Sequence, residues 1–204
     1  SWLNLGVVAS GVNDYATMDV DKISNTPYVV YSNASSYQAS VRKRIDTSWV
    51  NVGYNNFTDG PRGVYYPVIK IDKLGNPVVL LQDDDTHERL SMYLLVGGVW
   101  SKSGSTKFTK SHSYAPSLTF DKNNRAVIGF TDASYNNNGS VMHVLPNGSW
   151  EYKGDRGFEP GINQIGAVQV GNLDYHFIAF ADRSNGGKLS VMKYTATSQS
   201  SNLS

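Results

Sequence analysis

Asn33, Asp83, Asp132 and Asp182 recur at intervals of about 50 residues, each closing an apolar stretch. Side chains repeated in this way could do two kinds of chemistry. Converging on a common axis, they would form a ring of acceptors for a cation or for sugar hydroxyls. Left local, each would accept backbone N–H groups from the loop that follows it, a common Asx habit. Recurrence in every unit speaks for the local role, because a ligand site seldom needs one copy of a group per repeat.

A second set is aromatic. Tyr65-Tyr66-Pro67 aligns with Tyr114-Ala115-Pro116, and Tyr15 falls at the equivalent point of the first unit. A tyrosine offers an apolar face for stacking and a polar tip for hydrogen bonding, which suits a sugar ring as well as it suits packing between repeats. Tyr65, Tyr66 and Tyr114, with Arg62, His87 and His112 in the same segments, are the candidate ligand contacts. Asp83, Asp132 and Asp182 are the candidate polar partners. Catalytic signatures are missing: there is no Gly-x-Ser-x-Gly elbow, P-loop or dinucleotide fingerprint. A glycosidase needs two carboxyls about 5 to 10 Å apart, and Asp83 with Asp132 is the pair that adjacent units would supply. The run Asp83-Asp84-Asp85 lacks the glycine and distal glutamate of an EF-hand loop and reads as a solvated loop. The four histidines have no metal-binding spacing, and cysteine is absent, which removes thiolate sites and disulfides. No catalytic residue, metal or cofactor is assigned.

The units that must position these groups are marked by Trp2, Trp49, Trp100 and Trp150, each followed four residues later by Gly6, Gly53, Gly104 or Gly154. After the last three glycines come Phe57, Phe108 and Phe158. Met18, Ile69, Leu118 and Val168 then align, as do Val20, Ile71, Phe120 and Val170, with polar Asp19, Lys70, Thr119 and Gln169 between them. That alternation predicts a strand with one dry face. An Asn- and Gly-rich turn leads to a second strand carrying Val29, Val79, Ile128 and Ile178, whose apolar neighbours predict cover on both faces. A third strand places Val41, Met92 and Met142 eight residues before the next Trp, and the Trp segment itself is the fourth. Four short antiparallel strands per repeat of about 50 residues predict an all-β, four-bladed β-propeller.

The last repeat has no Trp after Met192, whereas the chain opens on a spare Trp segment, Ser1 to Gly6. The expectation is that this N-terminal strand completes the last blade and closes the ring, which would also remove two sheet edges. A fragment of a longer array and two chains sharing an eight-bladed ring are the alternatives. One domain is expected over 1–194, with blades near 15–53, 65–104, 114–154 and 164–194 plus 1–6, followed by a flexible Ser-rich tail at 195–204.

The Trp-x-x-x-Gly consensus, the Pro27 to Tyr31 strand and the Leu189 to Tyr194 strand resemble repeats of secreted and cell-surface bacterial propellers. The resemblance implies an innermost strand of the Ala16–Asp21 type and an outermost Trp strand, and a secreted or cell-surface location. A net charge of +1 with 17% charged residues gives no nucleic-acid footprint, and no apolar run is long enough to span a membrane. The expected function is non-catalytic binding of a glycan or protein, with further domains of a longer chain as neighbours. A structural spacer and a glycoside-directed enzyme are the alternatives. The loops Tyr54–Tyr66, Ser105–Tyr114 and Asp155–Gln164, with Asp83–Glu88 and Asp132–Gly139, are expected to share the binding face.

Overall fold

The computed structural model describes residues 1–59, 63–83, 88–104, 108–158, 162–171 and 173–195. β1 (Val12–Asp21), β2 (Thr26–Asn33), β3 (Ala39–Ile45) and β4 (Ser48–Asn51) form one antiparallel sheet in chain order. A second holds β5 (Val64–Ile71), β6 (Pro77–Asp83), β7 (Arg89–Val96) and β8 (Val99–Lys102), and a third holds β9 (Ser113–Phe120), β10 (Ala126–Asp132), β11 (Asn138–Val144) and β12 (Trp150–Tyr152). The last sheet has three strands, β13 (Ile162–Val170), β14 (His176–Asp182) and β15 (Lys188–Lys193).

The sheets stack because their strands are apolar with period two. β6 shows this best, being buried along its whole length. Val79 and Leu81 point into a core shared with Val30 and Val41 of the first sheet. Val78 and Leu80 point the other way, into a core with Leu118, Ile128 and Phe130 of the third. A third core joins Val127 and Val141 to Ile165, Val168 and Phe180 of the last sheet. The innermost strands run parallel from sheet to sheet. Thr17 Oγ1 accepts from Ile69 N (3.2 Å), Asp19 Oδ2 from Ile71 N (2.8 Å) and Ser117 Oγ from Val168 N (3.0 Å). These bonds satisfy edge N–H groups that antiparallel pairing leaves open. At the far end of the sheets the hairpin turns also interlock, with Asn124 bonded to Lys73 N and to Asp72.

The Trp motif is a junction device. Trp100 stacks on Phe57 (4.7 Å, 21°) and donates its indole N–H to Val52 O (2.7 Å). Trp150 stacks in the same way on Phe108 (4.0 Å, 13°). Gly53 and Gly104 hold the expected left-handed backbone, with φ of 70° and 68°. At Gly53 a Cβ would also lie 2.8 Å from the Trp100 ring. Alignment on Trp alone misplaces the third strand of the third sheet by one residue. Its turn, Leu145 to Ser149, is longer, so Val141 and not Met142 faces Gly129 in the place that Val41 and Met92 hold opposite Val30 and Leu80.

The chain start departs from expectation. Residues 1–11 form no strand, Trp2 is fully exposed and the last sheet gains no fourth strand from them. Instead, this segment lies against the first sheet. Leu5 O accepts from Trp49 Nε1 (3.2 Å) and from Arg44, and Val8 O accepts from Arg42 (2.5 Å). Burial supplies the reason. A Trp strand settles only where its own sheet packs on the one that offers a cradle, and β1 is not packed along β13 as β5 is along β1.

Gly53→Ala is expected to lose about 3 kcal/mol or more, combining positive φ with overpacking. Gly97→Ala, also at positive φ but with open space around its Cβ, should lose only about 1–2 kcal/mol. Urea melts of both variants check this, and equal losses would refute the cradle contact.

Candidate ligand-binding site

Strand pairing brings three chain segments to one end of each sheet. Val64 pairs with Asp83 and Asp83 with Arg89; Ser113 pairs with Asp132 and Asp132 with Asn138; Ile162 pairs with Asp182 and Asp182 with Lys188. The starts of the innermost strands and the loops after the second strands therefore share a face, opposite the interlocked hairpin turns. Each innermost strand is also irregular there, with bulges between Val12 and Ala16, Tyr65 and Val68, and Ile165 and Ala167, and a matching shift where β9 meets Gly129–Thr131. Tyr66 and Ala115 hold the same bulge position at φ of 48° and 44°. A non-glycine residue held there costs about 1–2 kcal/mol, and such bulges turn side chains out of the regular alternation.

The result is an aromatic group across the first junction. The Tyr15 ring lies 4.9 Å from Tyr66 and 5.9 Å from Tyr65, tilted to one and edge-on to the other. Tyr66 stays 37% exposed, so some of its ring faces solvent. A polar group crosses the second junction. His112 Nδ1 lies 3.1 Å from Glu88 Oε2 and 3.3 Å from Tyr114 Oη, and Gln82 Nε2 donates to Glu88 O (3.3 Å) and Oε2 (3.4 Å). Glu88 and Gln82 went unassigned in the sequence. Glu88 sits at positive φ in a loop, and Gln82 between the apolar run Val78–Leu81 and Asp83, so neither carries a motif. Arg62 and His87 lie outside the described residues, as do Asp84 and Asp85.

The recurring acidic positions are taken up locally. Asn33 Oδ1 accepts from Ser35 N and Oγ. Asp132 caps the short 3-10 turn Ala133–Tyr135 through Ser134 N and holds Arg156 by two bonds, 2.7 and 3.2 Å. Asp83 meets Ser91 Oγ (3.2 Å) and Lys102 Nζ (3.3 Å), and Asp182 accepts from Ser184, Asn185 and Ser190. Asp83 and Asp132 are each 1% exposed. Buried carboxylates with this many partners order loops; they have little left to offer a ligand. Among the described residues no group of three or more His, Asp or Glu could hold a metal.

No protein-family model and no curated protein matches the chain. Solved structures do resemble it. An endo-arabinase from Bacteroides thetaiotaomicron matches with a TM-score of 0.56 at 14% identity, over 91% of this chain and 76% of that one. A protein of unknown function from Dyadobacter fermentans matches with a TM-score of 0.61 at 12% identity, over 89% and 65%. A Hadza microbial sialidase gives 0.57 at 14%, over 88% of this chain but 43% of the other. At such identities the likeness is one of fold. The chain is an all-β protein of propeller type, built from antiparallel sheets.

The titrating groups predict two acid-sensitive windows. Burial holds His176 below its ordinary value, so stability is full above about pH 6.5 and falls as the pH drops through that value. Asp21 and Asp182 are held low by the hydroxyls of Ser24 and Ser184. In Asp72 and Asp121 burial pushes upward, but hydrogen bonds from Asn76 and Arg125 outweigh it. Their contribution is present above about pH 4 and lost as the pH falls through the depressed values. Urea midpoints at a series of pH values should show both losses, and His176→Phe should abolish the upper one alone.

Proposed function

We propose that the chain is a non-catalytic binding module, secreted or displayed at a cell surface, that holds a glycan on the face carrying the bulged strand starts. The single observation behind this reading is the solvent-facing aromatic group Tyr15–Tyr65–Tyr66, on the same face as the Glu88–His112–Tyr114 network. Aromatic walls with a few fixed polar groups are what sugar rings and hydroxyls require. The engagement of Asp83 and Asp132 favours binding over hydrolysis, which needs a free pair of carboxyls. Two structures of like fold are an endo-arabinase and a sialidase, which agrees with a glycan ligand. The proposed architecture is a single domain over 1–194 with one propeller blade per sheet, and no described helix is long and apolar enough to cross a membrane.

A glycan array followed by calorimetry on the retained sugar tests the reading. Tyr66→Ala and Tyr114→Ala should each weaken binding about tenfold, the value of one lost stacking contact, with the melting temperature within a few degrees of the parent. Binding untouched by both substitutions would remove the site from this face. Cleavage of the retained sugar would make the protein an enzyme.

A further inference from the structure

The two ends of the stack are uncovered in a complementary way. Ile69, Leu118 and Val168 hold one repeat position on successive innermost strands and are at most 1% exposed, yet Met18, in the same place on β1, is 56% exposed. At the other end Val41, Met92 and Val141 hold one position on the third strands at 1, 4 and 8% exposure, while Val191 on β15 reaches 65%. Residue type and sheet position are alike in each series. Only the presence of a neighbouring sheet differs. The front of the first sheet and the back of the last are thus two halves of the junction that occurs three times inside the chain.

The Trp cradle repeats the point. At the junction of the third and last sheets Gly154 (φ 77°), Phe158 and Val141 of the third sheet stand where Gly53, Phe57 and Val41 receive Trp100, but the ring over Gly154 is that of Tyr194, 3.0 Å from where a Cβ would lie, and no indole stacks on Phe158. A cavity of about 480 Å3 lies there, walled also by Met192 and Tyr194. Trp2, meanwhile, is fully exposed. Its segment already lies against the outer edge of the first sheet, since Trp49 Nε1 donates to Leu5 O as Trp100 Nε1 does to Val52 O. This segment does not reach the chain's own last sheet, along which β1 does not pack.

We propose that two copies of the chain join head to tail, the first sheet of each packing on the last sheet of the other. Trp2 of one copy enters the Gly154–Phe158 cavity of the second copy and stacks on its Phe158, while Leu5 stays bonded to Trp49 of its own chain. Met18 then covers Val191 across the junction. Such an interface uses different surfaces on the two copies, and two of them close a ring.

Light scattering after gel filtration of the 204-residue chain should give twice its 22.4 kDa mass. Trp2→Ala damages one half of the junction and Val191→Lys the other. Each alone should lower the mass to that of one chain, with the circular dichroism spectrum of the parent. Mixed together, the two variants should form a heterodimer, because each retains the half that the other has lost. A parent chain that stays monomeric at about 100 µM, a dimer that survives both substitutions, or a mixture that fails to pair would overturn the proposal.

Discussion

The indole of one sheet, stacked on a phenylalanine and seated over a left-handed glycine of the preceding sheet, is the contact from which the rest of this architecture follows. Trp100 on Phe57 beside Gly53 joins the first sheet to the second, and Trp150 on Phe108 joins the second to the third. A single sheet of four short strands cannot bury both faces of its second strand alone. The stack fixes the outer distance between neighbours, while the innermost strands fix the inner one through Thr17, Asp19 and Ser117. Between these two fixed edges the apolar residues of β6 and β10 have a defined space to fill.

That arrangement also decides where ligand chemistry is available. Local contacts take up the recurring polar groups: Asp21, Asp72 and Asp121 of the first three units at one end, and Asn33, Asp83, Asp132 and Asp182 at the other. The side chains proposed for recognition lie instead at the starts of the innermost strands and in the loops beside them. Tyr15 with Tyr65 and Tyr66 belongs to one junction, and Glu88 with His112 and Tyr114 to the next.

Recurrence also explains what could be read from the sequence. Strand order, the buried series Ile69–Leu118–Val168 and the positive φ of Gly53 and Gly104 were legible because they repeat. The bulges were not, since Tyr66 and Ala115 take a left-handed backbone without the glycine that would have announced it. Gln82 was hidden at the end of the apolar run of β6. The extra residue in the turn after Leu145 shifted one alignment from Met142 to Val141. The environment of Trp2 was illegible for a different reason, because burial of a terminal strand depends on the sheet that receives it, and no motif encodes that.

One further property follows from the unequal surroundings of the four indoles. Trp100 Nε1 is bonded to Val52 O in a buried site, whereas Trp150 Nε1 is buried without a partner. Trp49 is half-buried and Trp2 stands in water. Indole emission shifts with the polarity around the ring, so the chain carries a graded set of optical reporters, one for each stage along the stack. Residue-by-residue replacement with phenylalanine would assign the colours, and the order in which they redden during unfolding would show whether the sheets separate in succession or all together.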